Sequence, residues 1–373
     1  MSSIRSHEMS ARMRTVLPAI LLIAGLQRAA VAGPGATPEV PPDRDVAVRD
    51  SEDPDSVAAE ASGDTPWIDL GPSKVLELRA EPPRSTRRLA APLTLAGIYA
   101  GFVTWTYFAW YRTETHEFRA GGDGSWKIWS NDGWFGTEQY AAGADKMGHA
   151  WATLALGRAG TELLYQWGGY SRLTSALVGA ALSEALFLGV EIKDGFAYRF
   201  SYGDFAFNTL GAALGFAQSM WPALDDAVDF RVQYFPSAAY RAHAGDGDLD
   251  IAEDYSGQTY LLAFHLGAIR PLRESRWGRW AQFVDVALGF ESRGYKPDPP
   301  WTITPTQPDY DKTRTTFIGL SLNAQGLFDH LLRGRSETWR KITHGTFEVF
   351  SLPYTTLPLV SDTAVPTGMV GEE

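Results

Sequence analysis

Hydrophobic residues follow two different periodicities along the chain. Between Leu89 and about Leu224 they form long runs that are rich in small residues and poor in charges, which is typical of closely packed helices. After Pro222 apolar and polar residues alternate with a period of two in short segments, as they do in strands. The pattern predicts an α+β protein with a hydrophobic helical bundle of about four helices, followed by a small antiparallel β region.

The helical pattern is found in four stretches. They run from Leu89 to Tyr111, from Lys146 to Gln166, from Leu173 to about Ile192 and from Asp204 to about Leu224. The first carries no charge and is long enough to cross a bilayer, which takes about 20 apolar residues. Such helices are compatible with a bilayer, with a compact bundle that buries each helix, or with a bundle lying on a membrane. We expect membrane association and at least one transmembrane helix.

The strand pattern is found in five segments. They are Phe230 to Phe235, Tyr260 to Gly267, Trp280 to Tyr295, Thr315 to Phe328 and Phe347 to Tyr354. Short connections between alternating segments favour antiparallel pairing. We expect a small sheet that packs on the helices or leans on a membrane.

The N-terminal part of the chain has the layout of an export signal. Basic residues precede the apolar run Val16 to Leu26, and small residues follow at Ala30 and Ala32. We interpret residues 1–32 as a signal peptide, with a retained signal anchor as the alternative. Residues 33–88 are acidic and rich in proline, which predicts a disordered linker. A hydrophobic helical domain with a polar site (89–225) and a mostly β C-terminal region (226–373) complete the domain prediction.

Composition narrows the classes of function. The net charge of -11, with 44 acidic against 33 basic residues and no basic stripe, excludes a nucleic-acid partner. Because the chain has no cysteine, it contains no disulfide, no thiolate metal ligand, no cysteine nucleophile and no lipidated cysteine. Aromatic residues make up 13% of the chain and favour a place in the cell envelope.

Polar residues interrupt the helical stretches at regular intervals. Asp145 and His149 are four residues apart, as are Asp204 and Asn208, so each pair shares one helix face. Burying unpaired charges costs several kcal/mol each, so we expect these faces to converge on one site. The candidate site residues are Asp145, Lys146, His149, Glu184, Glu191, Asp194, Arg199, Ser201, Asp204 and Asn208.

Three functions are compatible with this set. Asp145, His149, Glu191 and Asp204 could bind a divalent cation, and this donor set suits Mg²⁺, Mn²⁺ or Ca²⁺ better than a structural zinc. His149 could instead act as a general base that Asp145 orients. The third interpretation is a hydrogen-bond network that fixes helix packing without turnover, in which Ser201 caps a helix.

An aromatic segment precedes these residues. It contains Trp126, Trp129, Trp134, Phe135 and Tyr140, with a turn signal at 131–133. Such a segment could lie at a membrane interface above the polar site, or it could be a lid packed on the helices.

The order of the polar residues resembles that of a known family. Asp145-Lys146-x-x-His149, Glu191-x-x-Asp194-Gly195 and Ser201-x-x-Asp204-x-x-x-Asn208-x-x-Gly211 resemble the YfiM-type family of uncharacterised, predicted periplasmic lipoproteins. The pattern is also distantly similar to that of VanZ-like membrane proteins, although Asp194 stands where those tend to have glutamine. The resemblance covers residues 134–218, and it implies an envelope location without implying a defined activity.

These patterns lead to a functional hypothesis. We expect an exported, membrane-associated cell-envelope protein that binds an envelope lipid or a glycan precursor through the polar cluster, or that uses the cluster structurally. The alternative is a metal-assisted hydrolase or transferase acting on an envelope lipid, with His149 and Asp145 as its catalytic residues.

Overall fold

The computed structural model of the protein describes residues 87–109, 111, 115–121, 126–243, 251–297, 310–332 and 337–367. The predicted signal peptide (1–32) and the predicted linker, apart from Arg87 and Arg88, lie outside these residues.

Four long helices form the first half of the described chain. They are α1 (Ala90–Ala109), α2 (Ala144–Glu162), α3 (Arg172–Ala197) and α4 (Tyr202–Met220), and a π-helical turn, Leu163–Trp167, extends α2. Serine caps begin two of them. The Ser171 hydroxyl accepts a hydrogen bond from the Thr174 amide, and the Ser201 hydroxyl accepts one from the Asp204 amide. The order of long helices agrees with the hydrophobic pattern, and their limits shift by a few residues.

Glycines allow α2 to pack closely between α3 and α4. A Cβ atom on Gly179 of α3 would lie 2.5 Å from the Gly157 carbonyl oxygen of α2. On the other side, a Cβ on Gly211 of α4 would lie 2.1 Å from the Ala150 carbonyl oxygen. Both contacts are closer than any side chain tolerates, so the three helices need glycine at these places.

Among the described helices, only α3 is long and apolar enough to cross a membrane by length and composition. The first helical stretch, which the sequence favoured for this role, forms α1 and falls short of that measure. Threonines, glycines and tyrosine lower its hydropathy despite the absence of charge.

A six-stranded sheet forms the second half. Its strands are β1 (Val228–Tyr234), β2 (Gln258–His265), β3 (Val284–Arg293), β4 (Thr313–Leu322), β5 (Phe350–Ser351) and β6 (Thr356–Ala364). The spatial order is β5-β1-β2-β3-β4-β6. All neighbours are antiparallel except β1 and β5, which are parallel, so the sheet is mixed and not wholly antiparallel as expected.

Shorter helices surround the sheet. They are α5 (Pro222–Asp225), α6 (Ala238–His243), α7 (Arg270–Arg273), α8 (Gly278–Ala281), α9 (Ala324–Leu331) and α10 (Glu337–Val349). Single 3₁₀ turns occupy Ile251–Glu253, Tyr255–Gly257 and Leu266–Ala268.

Two predicted strand limits are wrong for identifiable reasons. Asn323 ends the fourth strand segment early, because its side chain accepts a hydrogen bond from the Gly326 amide and caps α9. Phe347 and Val349 alternate like strand residues but form the last turn of α10, since short apolar runs fit both periods. The prediction also lacked β6.

The sheet packs on the helices through one end of one face. Phe230 of β1, Tyr260 of β2 and Phe290 of β3 are buried in a single cluster with Ala150 and Leu154 of α2. The helical unit and the sheet therefore share a core, and α2 lies between the sheet and the other long helices.

Candidate functional site

Polar side chains from three helices meet where the first turns of α2 and α4 approach the last turns of α3. Each helix contributes through the spacing that the sequence shows, and five of the six side chains are less than a tenth exposed. We name the following six residues the polar centre: Asp145, Lys146, His149, Glu191, Asp204 and Asn208.

Lys146 joins two of the carboxylates. Its Nζ atom lies 3.2 Å from Asp145 Oδ2 and 3.3 Å from Asp204 Oδ1, which links α2 to α4. All three side chains are buried, so water screens these ion pairs poorly. The polar centre thus contains one cation of its own.

His149 lies at the edge of the polar centre. Its Nδ1 atom is 3.0 Å from Asn208 Oδ1 and 3.3 Å from Glu191 Oε1, while its side chain remains 20% exposed. Thr153 donates a further hydrogen bond to Asn208 Oδ1 at 3.1 Å. Through His149 the polar centre reaches the molecular surface.

Two tyrosines extend the network and were not among the sequence candidates. The Tyr140 hydroxyl donates to Asp145 Oδ2 at 2.7 Å, and the Tyr111 hydroxyl donates to Asp194 Oδ1 at 2.8 Å. Thr153 was also missed, although it continues the spacing of four that relates Asp145 to His149. The spacing of four could have identified Thr153 from the sequence. No pattern in the sequence relates Tyr140 or Tyr111 to the carboxylate that it contacts.

Burial and the neighbouring charges shift the pKa values of Asp145 and Asp204 in opposite directions. Burial opposes ionisation of Asp145, but the Lys146 ammonium and the Tyr140 hydroxyl outweigh it and lower its pKa below the usual range. Burial also acts on Asp204, where the charge of Asp145 adds to it, and together they raise the pKa despite Lys146. The pKa values of these two neighbouring carboxyl groups are therefore shifted in opposite directions.

Two buried polar atoms of the polar centre have no hydrogen-bond partner among the described residues. They are Glu191 Oε1 and Asn208 Nδ2, on side chains that are 1% and 0% exposed. His149 Nδ1 does not satisfy the carboxylate oxygen, because it is closer to Asn208 Oδ1. Buried groups without partners cost about 1–3 kcal/mol each, which makes a bound partner favourable here.

One ligand atom each from His149, Glu191 and Asp204 lies within 4.8 Å of the other two. Donors on opposite sides of a small divalent cation are separated by about 4.2 Å, twice the usual metal–oxygen distance of about 2.1 Å. The three donors are thus placed for a shared cation after a small adjustment. Asp145, the fourth predicted ligand, is not part of this group; Lys146 and Tyr140 hold its carboxylate instead.

The remaining candidates lie around the polar centre. Asp194 is bonded to Tyr111, and Ser201 caps α4. Glu184 accepts a hydrogen bond from Thr209 at 2.9 Å, outside the cluster, and Arg199 is exposed. The expectation that all ten residues meet is corrected: Glu184 sits two turns before Glu191 on α3, and Arg199 follows the end of that helix.

The aromatic segment lies beside the start of α4. The ring of Trp126 is 5.7 Å from that of Tyr202, two residues before Asp204, and 5.6 Å from that of Trp134. Trp126 and Trp129 are nevertheless 71% and 59% exposed. The segment therefore borders the polar centre and presents aromatic rings to its surroundings.

The residues around the polar centre are similar to a family of known proteins. Residues 131–219, less than a quarter of the 373-residue chain, match a family described as "Predicted periplasmic lipoprotein (DUF2279)". No curated protein and no solved structure matches the chain. The finer resemblance to YfiM-type and VanZ-like proteins is not shown. Since the chain has no cysteine, it departs from the lipoprotein description at the point of lipid attachment. The match contains the whole polar centre and supports an exported, envelope-associated protein.

Proposed function

We propose that the protein is a membrane-associated envelope protein that binds the anionic head group of an envelope lipid or glycan through a divalent cation held by His149, Glu191 and Asp204. The observation that carries the proposal is the convergence of these three donors from three helices; one donor, Glu191, has a buried carboxylate oxygen with no hydrogen-bond partner among the described residues.

The donor set favours a hard cation. Two carboxylates and one imidazole nitrogen suit Mn²⁺ or Mg²⁺, whereas structural zinc prefers several cysteines or histidines. Lys146 occupies only one oxygen of Asp204, so the other carboxylate oxygen is free of that ion pair. A cation would replace the missing partner of Glu191 Oε1, and an oxygen of a water or ligand on the cation would accept from Asn208 Nδ2.

The surroundings favour a ligand that has both charge and hydrocarbon. His149 opens the polar centre to the surface, and the neighbouring residues Ile192 and Phe205 expose apolar side chains. A head group that reaches the cation there would place its hydrocarbon part beside these side chains. The family match to periplasmic proteins supports a ligand from the envelope.

A metal-assisted hydrolase or transferase acting on an envelope lipid is the second candidate. It is favoured by the contact of His149 Nδ1 with Glu191 Oε1, since a carboxylate in this position orients an imidazole for proton transfer at its other nitrogen. In that case His149 keeps the general-base role expected from the sequence, Glu191 takes the orienting role expected of Asp145, and Asp145 acts through Lys146 on the electrostatics of the site.

The cation is tested by elemental analysis and Mn²⁺ titration of detergent-purified protein. Glu191→Gln removes one donor, and Glu184→Gln is its matched control on the same helix, since Glu184 is bonded to Thr209 instead. We expect near-stoichiometric Mn²⁺ in the wild-type and control proteins and its loss in Glu191→Gln. Failure of the wild-type protein to bind Mn²⁺ or Mg²⁺ would overturn the cation and favour a purely structural network.

The ligand is tested by flotation with vesicles that contain phosphatidylglycerol or only phosphatidylcholine, with Mn²⁺ or with chelator. We expect Mn²⁺ to increase binding to the anionic vesicles in the wild-type protein and not in Glu191→Gln. Release of a lipid fragment by the wild-type protein, abolished in a folded His149→Gln variant, would replace the binding protein with the enzyme.

A further inference from the structure

One face of helix α3 has the reverse of the polarity found on helices of water-soluble proteins. Its buried residues include the small or polar Ser175, Gly179, Ser183 and Glu191, together with the apolar Ala176, Leu186, Phe187 and Val190. Its exposed residues are large and apolar, and they include Leu173, Leu177, Leu182, Ile192 and Phe196, at 38–50% exposure. A helix that exposes large apolar side chains along one side, while it buries serines and a glutamate elsewhere, matches an apolar environment on that side, not water.

One face of the sheet buries charged side chains next to the apolar Leu261, Ala287 and Phe317. Arg231 of β1 and Asp285 of β3 are fully buried, and Arg231 Nη1 donates to Asp285 Oδ2 at 2.8 Å. The Asp229 carboxylate accepts a hydrogen bond from the same guanidinium, and His265 Nε2 lies 3.1 Å from Asp229 Oδ2. Because side chains alternate along a strand, these charged residues occupy one face of the sheet.

The opposite face of the sheet is apolar and exposed where it extends beyond α2. Leu288 of β3, Ile318 of β4 and Val360 of β6 are directly paired across neighbouring strands and are 44%, 49% and 69% exposed. Leu320 and Leu357 form the next pair, at 38% and 63% exposure. We name these five residues the outer sheet patch. Exposed apolar patches of this kind mark a membrane or a partner protein.

Charges at one end of α3 favour a membrane as the partner. Arg87 stacks on Trp167, with Cζ 5.6 Å from the ring centre, and Tyr170 donates a hydrogen bond to the Arg88 carbonyl at 2.8 Å. Together with Arg172 they form a basic and aromatic end from which the uncharged outer face of α3 extends. Arginine beside tryptophan and tyrosine is typical of the head-group layer, where arginine complements anionic lipids.

We infer that the outer face of α3 and the outer sheet patch both contact the acyl chains of an envelope membrane. The inference deepens the membrane association in the proposed function, on which it rests, and it does not depend on the cation. Its new element is the sheet: the face that carries the outer sheet patch rests on the acyl chains beside the helices, while the Arg231–Asp285 pair stays on the opposite face, inside the protein. The outer sheet patch is wholly aliphatic and lacks the Trp, Tyr and Arg side chains that dominate protein–protein interfaces, which favours acyl chains over a partner protein as its occupant.

The absence of cysteine makes a site-by-site test direct. Leu177→Cys on α3 and Ile318→Cys in the outer sheet patch are labelled with a nitroxide, and Arg270→Cys serves as the control because the Arg270 side chain is 78% exposed and polar. The full chain is placed in vesicles of phosphatidylethanolamine and phosphatidylglycerol. Collision of each label with oxygen, which concentrates in lipid, is compared with collision with a water-soluble nickel chelate.

We expect the labels at positions 177 and 318 to collide with oxygen several-fold more often than with nickel, and the control label to show the opposite preference. Lipid contact at 177 with nickel contact at 318 would overturn the inference about the sheet and leave membrane association intact. Nickel contact at both positions would overturn the membrane association in the proposed function as well. A label at 318 that neither reagent reaches would show a protein partner on the sheet and would also overturn the inference.

Discussion

Lys146 and Asp204 form a buried ion pair between the first turns of α2 and α4, with 3.3 Å between Nζ and Oδ1. The same ammonium lies 3.2 Å from Asp145, so one lysine separates two buried carboxylates. This arrangement explains how a centre with three acidic side chains persists in the protein interior. It also sets a limit on a second cation, which must bind on the side where His149 and Glu191 lie.

Replacing Lys146 with methionine should destabilise the protein strongly. The change removes the charge and leaves Asp145 and Asp204 facing each other, and breaking a buried pair in this way costs about 3–5 kcal/mol. Chemical unfolding in the presence of chelator measures the loss. The double variant Lys146→Met with Asp204→Asn should recover part of the stability, because one of the two facing charges is gone. A double variant that is less stable than the single one would show that charge repulsion is not the cause.

Close packing of α2 and α3 can be tested with two glycines on one helix. Gly179→Ala places a Cβ atom 2.5 Å from the Gly157 carbonyl oxygen, so the helices must separate, at a cost of about 1–3 kcal/mol. Gly189→Ala meets nothing within 4 Å and should stabilise the helix, by up to about 1 kcal/mol through helix propensity. Thermal unfolding midpoints should therefore move in opposite directions. Equal shifts would argue against the close approach.

Glu162 should make stability depend on pH. Burial of its carboxyl group raises its pKa to about 8; the carboxylates of Glu348 and Asp225 act in the same direction, against Arg158 and His344. The folded protein keeps a proton that the unfolded chain releases above its ordinary pKa of 4.5. The free energy of unfolding should therefore fall as pH rises from about 5 to 8, by at most about 1.4 kcal/mol per pH unit.

The control for this pH dependence is Glu162→Gln, which keeps the shape of the side chain and cannot release a proton. Its free energy of unfolding should vary less between pH 5 and 8 than that of the wild-type protein, in urea titrations at matched ionic strength. Parallel curves for the two proteins would mean that Glu162 is ionised in the folded state, in contradiction to the raised pKa.

The spacing of polar residues along the sequence predicted much of the polar centre. Asp145 and His149 are one turn apart, and so are Asp204 and Asn208, and helix geometry alone places each pair on one face. Their meeting with Glu191 follows from the cost of burying charge in apolar helices. Spacing did not separate Glu184 from Glu191, because residues seven apart share a face but lie two turns apart along the axis.

Contacts between residues that are far apart in the sequence could not be predicted from helix spacing or from the cost of burying charge. Tyr111 meets Asp194 across 83 positions, and no periodic pattern relates the two residues. The buried Arg231–Asp285 pair was missed because its residues lie 54 positions apart in different strands, and alternation alone does not show which face of a sheet is buried.

The most direct test of the cation centre is pulsed electron paramagnetic resonance of the Mn²⁺-loaded protein in detergent. We expect spin-echo modulation from one directly bound imidazole nitrogen. The modulation should vanish in His149→Gln and persist in His116→Gln, whose ring contacts the backbone of Glu117. Bound Mn²⁺ without nitrogen modulation in the wild-type protein, or modulation that survives in His149→Gln, would contradict a centre made by His149, Glu191 and Asp204.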